Sequence, residues 1–167
     1  MYEVGTREMP ARTVLSVKRN VEGVDAAWAF GKEFIALLRH YQLPQLPGRA
    51  GAFFCIYWGE VSEDSDGPLE WCRPVPPDEA EALAARCPEL TLRAEPAHHE
   101  AFVKLGASGQ IDGAEWQLVE QSLHAWSEQH PDVRLTDLGL RITYLASEAA
   151  QETYSDAAVP FNGQSRG

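Results

Sequence analysis

The chain has 167 residues, 44% of them hydrophobic and 23% charged, which suits one domain with a core of its own. Its 14 basic residues stand against 25 acidic ones, a formal net charge of −11 that repels nucleic acid and anionic lipid and mildly favours cationic ligands. No apolar run is long enough to span a membrane, the first residues lack a secretory layout, and Cys55, Cys72 and Cys87 show no CxxC spacing, so a cytoplasmic protein with reduced thiols and no membrane contact is expected.

Over residues 12–19, Val14, Ser16 and Lys18 share one side and Thr13, Leu15 and Val17 the other, which is the period-two pattern of a strand. From 24 to 41 the period changes. Ala27, Phe30, Phe34, Leu37, Leu38 and Tyr41 fall on one helical stripe, Asp25 is the expected cap, and Pro44, Pro47 and Gly48 end the helix. The aromatic and β-branched run 52–58 predicts a buried strand, 62–67 a turn, and 69–75 a second strand, so 52–75 reads as a hairpin. A short helix is expected over 78–86, between Pro76-Pro77 and Pro88. Strands follow at 90–94 and 100–105, the second broken by Gly106 and Gly109. Asp112 and Glu115 resemble a capping box, opening a helix with Trp116, Val119, Leu123 and Trp126 on one face that stops before Pro131. Strands at 138–146 and 153–159 complete the pattern. The last is ended by Pro160, and a flexible tail over 162–167 follows a domain spanning 1–161.

Each half thus reads strand, helix, strand, strand, and the halves superimpose in order, with Tyr57 matching Tyr144. One half alone would expose a sheet face, whereas two can share a single antiparallel sheet about a pseudo-twofold axis. The junction is a natural place for a cleft, where the two tyrosines can meet.

This order, with these residues, resembles the GyrI-like (gyrase-inhibitor-like) family of small-molecule-binding and effector-binding domains. The stretches that carry the resemblance are Met9-Pro10-Ala11-Arg12-Thr13-Val14, residues 25–28, Ile56-Tyr57-Trp58-Gly59, residues 69–75, Arg141-Ile142-Thr143-Tyr144-Leu145 and Val159-Pro160-Phe161. They run from about residue 4 to 161, and it is their order and spacing that is specific. The resemblance implies an α+β fold of duplicated βαββ (SHS2-like) units, one antiparallel sheet, two long helices and a central ligand groove. It also implies flat, hydrophobic, often cationic ligands, stacked on aromatic rings and balanced by a buried carboxylate. Many members carry a glutamate where this chain has Ile142. Glu60, Glu70 and Glu100 are the alternatives for a carboxylate supplied from elsewhere.

The candidate ligand-binding residues are Phe53, Tyr57, Glu70, Trp71, Phe102, Trp116, Ile142 and Tyr144, with core packing and solvent exposure as the competing accounts. His98 and His99 are neighbours on a strand and point apart, so no metal site is expected. Cys55, between Phe54 and Ile56, reads as a buried structural thiol. No G-x-S-x-G, G-x-G-x-x-G or Walker-type run occurs, so no catalytic residue is assigned and no cofactor is expected. The leading function is a stand-alone, multidrug-type binding protein for flat hydrophobic, preferably cationic aromatic compounds, without direct nucleic-acid contact. The alternatives are a hydrolase of cyclopropane-bearing natural products, which the resemblance also allows, and a protein-binding gyrase-inhibitor-like regulator.

Overall fold

The structure, a computed structural model, describes residues 1–105, 113–137, 139–147 and 152–163. The core repeat is present. The first unit is β2 (Arg12–Val21), α1 (Gly23–His40), β3 (Phe54–Tyr57) and β4 (Gly67–Val75). The second is β6 (His98–Leu105), α4 (Gly113–Glu128), β8 (Leu140–Ser147) and β9 (Glu152–Gly163). Added to these are β1 (Gly5–Met9), α2 (Gly48–Gly51), α3 (Ala80–Arg86), β5 (Thr91–Glu95) and β7 (Val133–Leu135). The strands form one antiparallel sheet in the order β1-β6-β9-β8-β3-β4-β2-β5, with β7 pairing to β9. Among the described residues no helix is long and apolar enough to cross a membrane.

The units join through β3 and β8, where Cys55 pairs with Ile142 and Tyr57 with Leu140. Because the strands run antiparallel, this ladder carries the pseudo-twofold, which exchanges Tyr57 with Tyr144 and Leu140 with Phe53. Helix α1 buries Ala27, Phe30, Gly31, Phe34 and Leu38, and α4 buries Trp116, Val119 and Leu123. Each stripe recurs at three and four residues, so one face of each helix meets the sheet. Fully buried side chains of the size of Phe34 contribute about 1.5–3 kcal/mol each.

The sheet curls toward its helix-free face. Arg141 on β8 hydrogen-bonds Glu95 on β5, although three strands lie between them. At about 4.8 Å per strand a flat sheet would hold these residues roughly 19 Å apart, beyond the reach of both side chains. Two short links enforce the curl. Pro10 and Ala11 connect β1 to β2, and Pro96 and Ala97 connect β5 to β6, each joining strands near opposite ends of the strand order.

Several local expectations differ from the structure. Asp25 lies within the first turn of α1, where no side-chain cap hydrogen bond forms. The run 52–58 contributes only β3, because Ala52 follows directly from α2 and Trp58 turns away to pair with Pro68. Strand β9 continues through Pro160. A proline supplies no N–H, but its carbonyl accepts from both Thr136 N and Thr136 Oγ1, so Asn162 and Gly163 belong to the strand and not to a tail. Asp112 of the expected capping box, Gly106, Gly109, Leu138 and the tail residues 164–167 lie outside the described residues.

Candidate functional site

Strand alternation sorts the side chains onto two faces. On the helix face a central row crosses the sheet: Trp71 on β4, Cys55 on β3, Ile142 on β8, Ala157 on β9 and Val103 on β6. Cys55, Ile142, Ala157 and Val103 are wholly buried and Trp71 nearly so. Ile142 therefore stands at the middle of the molecule, in the place where the resemblance leads one to look for a glutamate.

Aromatic groups flank this row unequally. Phe53, Trp71 and Tyr144 form a triangle, Phe53 and Tyr144 lying 5.2 Å apart with planes 9° from parallel and Trp71 5.6 Å from Tyr144. Phe34 of α1 closes this group over Trp71 at 5.9 Å. Burial and the neighbouring Cys55 thiol raise the Tyr144 hydroxyl well above its ordinary range, so it stays protonated. Burial pushes the Cys55 thiol up to about 12, which makes it inert as a nucleophile near neutrality. On the other side of the axis Tyr57 meets the edge of Trp116 at 5.1 Å and 79°. Among the described residues the buried indole N–H groups of Trp71 and Trp116 have no hydrogen-bond partner, which is uncommon for buried donors.

The two tyrosines do not meet. Each belongs to its own cleft, as their places on the β3–β8 ladder require. The first cleft, of about 470 Å³, lies between α4 and the sheet. Its apolar wall includes Tyr57, Trp116, Leu123 and Leu140, and its rim carries Glu60, Glu120 and Asp137, all exposed, with no lysine or arginine. Burial raises the Tyr57 hydroxyl far above its ordinary range, so it stays protonated and able to donate. The second cleft, of about 550 Å³, lies at the end of α1 and is lined by Phe53, Tyr144, Leu38 and Leu43, with Arg39 and Arg73.

Glu70 and Phe102 lie elsewhere. Each sits between neighbours that face the helices, Leu69 and Trp71 for one and Ala101 and Val103 for the other, so alternation sends both to the concave face. Glu70 there accepts from Arg93 Nε at 2.7 Å and from Trp58 Nε1 at 3.1 Å. Burial alone would raise its pKa, but the hydrogen bonds and charge of Arg93 outweigh that and hold it below the usual value. Phe102 lies under the Arg7 guanidinium, 4.1 Å from its ring centroid. His98 shares this face with Glu100, 3.5 Å away, whereas His99 points back toward Phe161.

Apart from Glu70 and Glu100, sequence reasoning passed over the charges that fill the concave face. Glu95 accepts from both Arg93 and Arg141; Asp156 accepts from Arg7 and Arg49; Arg12 lies over the Phe54 ring at 4.3 Å. Arg12, Glu95, Glu100, Arg141 and Asp156 are each at most 8% exposed. Their signal was available as charges of opposite sign at every second position of neighbouring strands, such as Arg93 and Glu95.

No protein-family model matches the chain, and no curated protein matches it in sequence. Solved structures do match in fold. The C-terminal domain of EcmrR superposes with a TM-score of 0.69 at 16% identity, over 98% of this chain and 99% of that one. SAV2435 bound to tetraphenylphosphonium gives 0.57 at 12% identity, over 96% and 94%. A hydrolase from Listeria innocua gives 0.56 at 10%, over 96% and 92%. In its complex with DNA, EcmrR is matched over 58% of its own chain. The duplicated fold that the GyrI-like resemblance implied is the fold of this chain.

Proposed function

We propose that this chain is a GyrI-like effector-binding domain that holds flat, hydrophobic, cationic compounds in the cleft between α4 and the sheet. The observation that carries the reading is the pairing of an apolar aromatic wall, Tyr57 and Trp116, with three rim carboxylates and no lysine or arginine. A planar ring against that wall gains roughly 25 cal/mol per Å² of apolar area buried, and a cation over an aromatic face adds about 0.5–2 kcal/mol. The carboxylates supply long-range attraction, so binding should weaken with added salt. The complex of SAV2435 with tetraphenylphosphonium supports the class of ligand. With a net charge of −11, the domain is read as making no direct contact with nucleic acid.

The test is titration of tetraphenylphosphonium into the protein, followed by tryptophan fluorescence, against Tyr57→Ala and Glu120→Gln. Tyr57→Ala is expected to weaken binding about tenfold through the lost aromatic contact. Glu120→Gln, at an exposed position, should cost only about twofold and reduce the salt dependence. Binding unchanged in both folded variants would place the cation elsewhere.

A further inference from the structure

We infer that the cleft at the end of α1 is a second binding site, with the opposite charge preference: it takes a flat aromatic carboxylate, with Arg73 as the charge partner. The inference does not rest on the cation reading of the first cleft.

Arg73 lies on β4 beside Leu15, on the helix face, and is 6% exposed. Its Nε donates to the Pro44 carbonyl at 3.3 Å. Among the described residues no carboxylate pairs with it. Arg141, buried to a similar degree on the opposite face, is bonded to Glu95. Burial pulls the Arg73 pKa down, as expected for a cation held among apolar groups. Holding a cation there without a carboxylate partner is costly, and a leucine or methionine at this position would avoid that cost. A bound anion offsets that cost.

The surroundings fit one class of anion. Phe53 and Tyr144, nearly parallel, present a flat wall, and Leu38 and Leu43 add apolar surface. A volume of about 550 Å³ accommodates a fused ring system. Arg39, exposed at the rim, adds a second positive charge, and the lining contains no aspartate or glutamate although the chain as a whole carries −11. Helix C-termini normally repel anions through their free carbonyls. Here the carbonyls of Leu37, Leu38 and Arg39 already accept from the N–H groups of Tyr41, Leu43 and Gln42, which weakens that repulsion. The guanidinium of Arg73 is the charged anchor beside the aromatic wall.

The test uses calorimetric titration of the full chain with 2-naphthoate and with 2-naphthylmethanol, its neutral counterpart. Naphthoate should bind about tenfold more tightly than the alcohol, the increment of one charge-assisted contact. Saturating tetraphenylphosphonium should leave naphthoate in place. Arg73→Met should equalise the two affinities. Should that variant not fold, Arg39→Glu, at an exposed position, should still lower naphthoate affinity severalfold without changing that of the alcohol. Equal affinities in the unaltered protein overturn the proposal. So does a preference that survives both substitutions, or displacement of naphthoate by the phosphonium.

Discussion

Cys55 and Ile142 face one another across the β3–β8 ladder, both fully buried, and the axis that relates the two halves of the molecule passes between them. Two apolar groups therefore occupy the centre of the molecule, between the two clefts. The halves share a backbone plan yet carry different rims, acidic beside Tyr57 and basic beside Tyr144.

Placing a carboxylate on this axis tests how open it is to ligand. Ile142→Glu should destabilise the free protein by about 3 kcal/mol or more, the cost of an unpaired buried charge. Tetraphenylphosphonium should recover part of the loss, giving a larger rise in Tm than in the unaltered protein, while a neutral aromatic should not. Thermal unfolding with and without each compound measures this. An equal rise in both proteins would mean that bound cations do not approach position 142.

The concave face predicts an acid-labile fold. Burial would raise Glu70, Glu95 and Glu100, but Arg93, Arg141, and His98 with Arg7, respectively, hold all three below the ordinary 4.5. A carboxyl depressed in the folded state contributes stability above its unfolded value and loses it as pH falls through the folded one, so the loss belongs below 4.5. Glu95→Gln should lower stability near neutrality by about 3 kcal/mol, because Arg93 and Arg141 each lose a charge-assisted hydrogen bond to it. It should also make the decline below 4.5 shallower, since one depressed group is gone. Urea midpoints across that range check both signs.

Gly31 of α1 sits directly over Trp71, where an added Cβ would stand 2.8 Å from the indole ring. Alanine favours a helix over glycine by about 1 kcal/mol. Displacing a buried ring costs about 1–3 kcal/mol. Gly31→Ala should therefore lower Tm and alter the near-ultraviolet circular dichroism of the Phe53–Trp71–Tyr144 group; a raised Tm would show that the ring shifts freely.

The strand and helix periods were legible because each faces one apolar layer. Val14, Ser16 and Lys18 separated from Leu15 and Val17 as the alternation required, and the stripe of Ala27, Phe30, Phe34 and Leu38 marked α1. Strand β7 has three residues, too few to show a period. The aromatic candidates were chosen by residue type, yet type does not reveal facing. Counting alternate positions from Trp71 would have moved Glu70 to the other side, as counting from Val103 would have moved Phe102. The paired charges escaped because a charged residue on a strand ordinarily faces water. Only the curl of the sheet encloses them, and that curl depends on contacts such as Arg141 with Glu95, far apart in sequence. Arg73 escaped for a different reason: it lies on the helix face, where α1 and the Pro44 loop cover it.

The two dipeptide links also determine when the fold can form. Strand β1 leaves the ribosome first, but its partner β6 belongs to the second unit, Gly5 pairing with Phe102 and Met9 with His98. The opening strand must therefore wait, unpaired, until most of the chain has been synthesised. Pairing across such a separation is slow, since the loop-closure entropy is spent before any contact rewards it. Either unit made alone would expose a strand edge that its counterpart normally covers, a template for aggregation. The duplicated plan therefore gives two units whose strand edges cover one another.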